Sequence, residues 1–114
     1  MISRQNRFHG HNSLNVVYRK GKAARSEFIS LRYAPSRKDD YRLAIVVSKK
    51  VSKSAVVRNR IRRRIYEIVR LYKKGLEEPL RYDLVISVFD ERAASVPAAD
   101  LTASIIGLLQ KVER

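Results

Sequence analysis

The chain has 114 residues, 25 of them basic and 11 acidic, with a net charge of +14 and no cysteine. That length is one ordinary domain with a single core. A hydrophobic content of 45% excludes a disordered polyelectrolyte. The lack of cysteine excludes disulfides, cysteine–zinc sites and thiol nucleophiles. The longest strongly apolar run, Leu43 to Val47, is far short of a membrane span. No apolar signal-peptide core follows the basic N-terminus, and the expected location is cytoplasmic.

Residues 1–11 look loose and polar. Asn12 or Ser13 is placed to cap a short helix with Leu14, Val17 and Tyr18 on its apolar side, ending at Gly21. From Ser26 to Tyr33 the sequence alternates, with Phe28, Ser30 and Arg32 on one face and Ile29, Leu31 and Tyr33 on the other, which predicts a strand. Residues 34–40 form a turn or loop. The continuous β-branched stretch 41–48 predicts a central strand covered on both faces.

The segment Ser48 to Lys74, SKKVSKSAVVRNRIRRRIYEIVRLYKK, combines dense positive charge with an apolar rhythm. Val57, Ile61, Ile65, Ile68 and Tyr72 fall within about 80° of a helical wheel, widened by Val69 and Leu71. Asn59, Arg60, Arg62, Arg63, Tyr66, Arg70, Lys73 and Lys74 lie on the far side, and Arg58 and Arg64 flank the stripe. The helix ends before Gly75. A strand follows at 82–89 and then a turn. A last helix places Leu101, Ile105, Leu108, Leu109 and Val112 on one face. The sum is an α+β domain spanning 1–114, a small central sheet with packed helices in the order α-β-β-(β)-α-β-α.

The charge is polarised. Residues 1–48 carry +7, residues 49–74 carry +10 with Glu67 the lone carboxylate, and residues 75–114 carry −3. A solvated helix would need acidic partners at i+3 or i+4, and one glutamate cannot serve six arginines. Like charges at i,i+4, such as Arg58 with Arg62 and Arg60 with Arg64, repel until a polyanion relieves them. Arginine forks suit phosphate, and the lysines Lys49, Lys50 and Lys53 precede the helix start, where free backbone N–H groups also favour anions. Nucleic acid is therefore the expected partner, and a membrane is not. His9 and His11 lack an identifiable third ligand, and no metal site is expected on them. No Ser/His/Asp arrangement or Gly-rich phosphate loop is present, so no catalytic residue is assigned to the chain.

The ordered string Val46 to Ile65, VVSKKVSKSAVVRNRIRRRI, resembles the signature of the bacterial ribonuclease P protein subunit: a strand ending Ser-Lys-Lys, a short loop, then the Arg58-Asn59-Arg60 core. Residues 6–21 and the strand from Ser26 are similar to that family's first helix and strand, and the resemblance covers roughly residues 4–110. It implies an α/β sandwich of the ribosomal protein S5 domain 2-like fold with a left-handed crossover. It implies a protein that binds the catalytic RNA subunit and the 5′ leader of precursor tRNA, with the hydrolysis and its Mg2+ residing in the RNA. No obligate protein partner follows from it. RNA contacts are expected at Lys49, Lys50, Lys53, Arg58, Asn59, Arg60, Arg62, Arg63 and Arg70. Carried over by position, a leader-binding cleft between the first helix and the sheet would use Leu14, Tyr18, Leu31, Tyr33 and Lys50. Leu14 stands where the family often has phenylalanine, which removes one stacking platform. Three alternatives fit the composition: a ribosomal or other structural RNA-binding protein, an autonomous ribonuclease, and a DNA-binding domain reading a major groove.

Overall fold

The computed structural model describes residues 22–35, 41–76 and 81–112. The expected first helix with Leu14 and Tyr18, the histidines His9 and His11, and the N-terminal tail lie outside them. Strands β1 (Lys22–Arg25), β2 (Ile29–Pro35), β3 (Arg42–Val47) and β4 (Tyr82–Val88) form one sheet in the order β1-β2-β4-β3. Helix α1 (Ala55–Lys74) joins β3 to β4, a 3-10 turn follows at Glu91–Ala94, and helix α2 (Ala98–Val112) closes the described chain.

The sheet is mixed. β1 and β2 are antiparallel, with Arg25 opposite Ser30, and the amide of Ser26 closes the connection by donating to the Ile29 carbonyl at 2.9 Å. β2 and β4 are antiparallel, whereas β3 and β4 are parallel, as a helical crossover requires. The two central strands are therefore β2 and β4. The continuous apolar run of β3 suggested a central strand, but β3 is an edge strand and Val46 is exposed on it. β1, sequence KAAR, carries no β-branched or aromatic residue, and pairing with β2 alone makes it a strand.

Alternation along the strands sorts the sheet into two faces. Ile29 and Leu31 of β2, Leu43, Ile45 and Val47 of β3, and Leu84, Ile86 and Val88 of β4 are buried in one cluster. Ile61, Ile65 and Val69 of α1 join the same cluster. So do all five residues expected on the face of the last helix, Leu101, Ile105, Leu108, Leu109 and Val112. Both helices thus cover one side of the sheet. The second face is built by Ser30, Arg32 and Ala34, by Arg42, Ala44 and Val46, and by Asp83, Val85 and Ser87. Its centre is a small buried group, Ala34, Ala44 and Val85. Arg42 and Asp83, opposite each other in the parallel register, make a bidentate pair there, with Nε–Oδ1 at 2.8 Å and Nη2–Oδ2 at 2.7 Å. The carboxylate holds the Arg42 pKa above its ordinary value.

Candidate nucleic-acid interface

Ser54 caps α1: its hydroxyl accepts from the amide of Val57 at 3.3 Å, and Gly75 ends the helix with its amide on the Leu71 and Tyr72 carbonyls. The turn before the helix is pinned by Ser52, which is buried. Its hydroxyl accepts from the Ser54 amide at 3.3 Å, and its carbonyl accepts from Arg58 Nη1 at 2.9 Å. The amide of Val51 donates to the Ser48 carbonyl at 3.1 Å. Lys49, Lys50 and Lys53 are exposed on this fastened loop. Their ammonium groups therefore ride on a fixed backbone beside the helix start.

The helix is rolled about 40° from the orientation that its apolar spacing suggested. Ile61, Ile65 and Val69 are fully buried, while Val57, Ile68 and Tyr72 are only partly so. Leu71, expected to widen the apolar stripe, is 54% exposed, and Tyr66, expected on the far side, packs partly against the core. Residues whose Cα–Cβ directions point outward on that wheel are then Val56, Arg60, Arg63, Glu67, Arg70 and Lys74.

The expected RNA-binding residues divide by what they already hold. Arg60 and Arg63 are exposed and have no acceptor among the described residues, and the same is true of Lys49, Lys50 and Lys53. Arg62 Nη2 donates to Asn59 Oδ1 at 2.6 Å, which orients both side chains on the exposed surface. Arg70 forks onto Glu67, drawing the Glu67 pKa below the ordinary carboxylate range. Arg58 is spent on the loop. Arg64, within the arginine run, points sideways and donates to the carbonyls of Ala93 (2.8 Å) and Val96 (2.5 Å), tying α1 to the segment that leads into α2.

The cleft assignment on β2 needs correction. Leu31 is fully buried on the helix-packed face and cannot touch a leader. Tyr33 lies on that face too, packed against the same core, with its ring 6.0 Å from that of Tyr82 in an edge contact. The parity that groups Leu31 with Tyr33 holds, but the face is the core. Phe28 also enters the core, because the chain bends just before β2 begins and strand alternation does not extend to it. Lys50 remains at the sheet end, on the turn after β3. Sequence reasoning did not single out Arg25 and Phe89, which the fold brings together. The guanidinium carbon of Arg25 sits 4.3 Å from the centroid of the Phe89 ring, which is 40% exposed. The period of β4 was the available signal, since Phe89 has the parity of Val85 and Ser87 and not of the core residues.

Among the described residues no three His, Asp or Glu side chains gather where they could hold a metal ion, and no helix is long and apolar enough to cross a membrane.

A family model described as ribonuclease P matches residues 2–113. The chain is 33% identical over 110 residues to the ribonuclease P protein component of Chloroflexus aggregans, covering 96% of this chain and 79% of the relative. It is 34% identical over 110 residues to that of Clostridium botulinum, covering 95% of both. Identity to the Thermus aquaticus component is 39% over 93 residues, and there the match spans about half of the relative (52%). Among solved structures, the Staphylococcus aureus RNase P protein superposes with a TM-score of 0.81 at 24% identity, covering 95% of both chains. The Thermotoga maritima protein gives 0.80 at 22%, covering 92% of this chain and 96% of that one. Those two share the fold, and with the family match and the sequence relatives they lead to one conclusion: the chain belongs to the ribonuclease P protein family, whose members act in the maturation of tRNA 5′ ends.

Proposed function

We propose that this chain binds the catalytic RNA of ribonuclease P through the outward face of α1 and the lysine loop, and steadies the 5′ leader of precursor tRNA at the sheet end reached by Lys50. The observation that carries this is the division of labour among the cations. Arg60, Arg63, Lys49, Lys50 and Lys53 have no acidic partner among the described residues, yet they are mounted on a helix and loop that Ile61, Ile65, Ser52 and Arg58 hold still. Rigid, uncompensated cations lose little entropy on meeting phosphates and release counterions as they do so.

In this reading the chain binds, positions and neutralises, and the RNA performs the hydrolysis. Mg2+ bound by the RNA would supply the activated water. The protein's own contribution is charge: cations beside the RNA lower the local phosphate repulsion, so fewer free Mg2+ ions are needed to keep the complex assembled. Reconstitution tests it. The full chain, added to a bacterial ribonuclease P RNA at low magnesium, should promote cleavage of precursor tRNA at the mature 5′ end, and the chain alone should cut nothing. Unaided cleavage, or a reconstituted complex that binds precursor and mature tRNA equally well, would overturn the reading.

A further inference from the structure

A second contact site lies at the end of the sheet. We propose that the stacked pair Arg25–Phe89 is a platform for one unpaired nucleotide, with the base lying on the exposed faces of the pair and the guanidinium fork holding the adjoining phosphate. The proposal rests on the reading above, and the nucleotide it names belongs to the single-stranded leader of precursor tRNA.

Register places the pair. Arg25 is opposite Ser30, and Ser30 is opposite Ser87, all on the face away from the helices. Phe89 follows Ser87 by two residues, and its ring meets the guanidinium of Arg25 from that face, 4.3 Å from its centroid. Val46 is opposite Ser87 in the parallel ladder. Val46 and Phe89 are two of the four large apolar side chains that are exposed among the described residues, the others being Val56 and Leu71 on α1. By register Val46 stands diagonally from Phe89, two residues short of it along the ladder.

Charge identifies the occupant. Of the three carboxylates near Phe28 and Phe89 in sequence, Glu27, Asp90 and Glu91, Arg92 takes two, with Nη2 at 2.7 Å from Asp90 Oδ2 and Nη1 at 3.9 Å from Glu27 Oε1. Asp90 is held ionised by that contact, its pKa drawn below the usual range by the Arg92 hydrogen bonds. Arg25 is left with the Phe89 ring and no acidic partner among the described residues. Val47 is opposite Val88, so the turn that bears Lys49 and Lys50 leaves the sheet beside Phe89. An exposed arene, a planar cation stacked on it and two loop lysines form an apolar, cationic surface. Such a surface suits an unpaired base with its phosphate, while a duplex keeps its base faces inside the stack.

The pair also explains how a leader of varying sequence is accepted. Stacking on an arene and a guanidinium uses the π-face that every base has, so the site takes any nucleotide and favours the larger purines.

The test uses the reconstituted holoenzyme and precursor tRNAs carrying a single 2-aminopurine at successive leader positions. One position should report stacking by a change in its fluorescence on binding. Phe89→Leu keeps the apolar bulk and loses the π-face; it should erase that signal and weaken precursor binding about tenfold, leaving affinity for mature tRNA unchanged. Phe89→Trp enlarges the face and should bind precursor at least as tightly, its own emission being quenched by the leader. If the wild type prefers precursor while Phe89→Leu retains both signal and affinity, the platform is wrong and the functional reading stands. If the wild type itself shows no preference for precursor over mature tRNA, both fall.

Discussion

Six arginines stand between positions 58 and 70, and they do unlike work. Arg60 and Arg63 reach solvent with no acceptor among the described residues, whereas Arg64 spends its guanidinium on two backbone carbonyls 29 and 32 residues away in sequence. Truncating Arg64 leaves those partly buried acceptors unmet and unties α1 from the entry to α2. Arg64→Ala should lose about 2 kcal/mol of stability by urea denaturation, and Arg63→Ala should stay within about 0.5 kcal/mol of the wild type. RNA affinity should rank them the other way, provided it is measured well below the unfolding transition. Asp90 carries a pH prediction. Its folded pKa is depressed by Arg92, so the stability of that contact is present above the ordinary carboxylate pKa and is lost as pH falls through the lower, folded value. Asp90→Asn should therefore trail the wild type slightly at neutral pH, and the two denaturation curves should converge in acid.

Elements rank differently in how readily a sequence reveals them. Helix α2 was plain from its spacing, because Leu101, Ile105, Leu108, Leu109 and Val112 answer to one partner surface, the sheet, and all five are buried. Helix α1 was plain in extent and misjudged in roll. Its apolar positions fit two neighbouring orientations, and the choice between them rests with the sheet and with the tethers of Arg58 and Arg64, which no wheel displays. β3 reads as central because it is apolar throughout, yet sheet order is a long-range property, and the run Leu43 to Val47 says nothing of which strand lies beside it. The basic face of α1 is thus legible in the sequence as a charged surface, and the face of β2 that the helices cover is not. Assigning Leu31 and Tyr33 required knowing which face the helices cover. One element still departs from its own local rules: Gly107 sits inside α2, exposed, with nothing within 4 Å of where a Cβ would stand. Gly107→Ala should raise stability by about 0.5–1 kcal/mol, read as a higher thermal midpoint with RNA binding unchanged.

At the scale of the whole molecule, the fold converts a polarised sequence into a polarised body. Of the seven carboxylates in residues 75–114, Asp83 pairs with Arg42 and Asp90 with Arg92. Within residues 49–74 one carboxylate stands against eleven cations, Glu67, and Arg70 pairs with it. Burying Ile61, Ile65 and Val69 forces the remaining arginines outward together, so hydrophobic docking and electrostatic display are one event. Binding to RNA should then be strongly salt dependent, with each phosphate neutralised contributing roughly 0.7–0.9 to the slope of log K against log salt. Arg60→Ala/Arg63→Ala should lower that slope by about 1.4–1.8 for the catalytic RNA. The same double variant should fold as stably as the wild type at low salt, because removing Arg60 relieves its i,i+4 repulsion with Arg64. An unchanged slope would place those two side chains away from the phosphates and return the outward face of α1 to solvent.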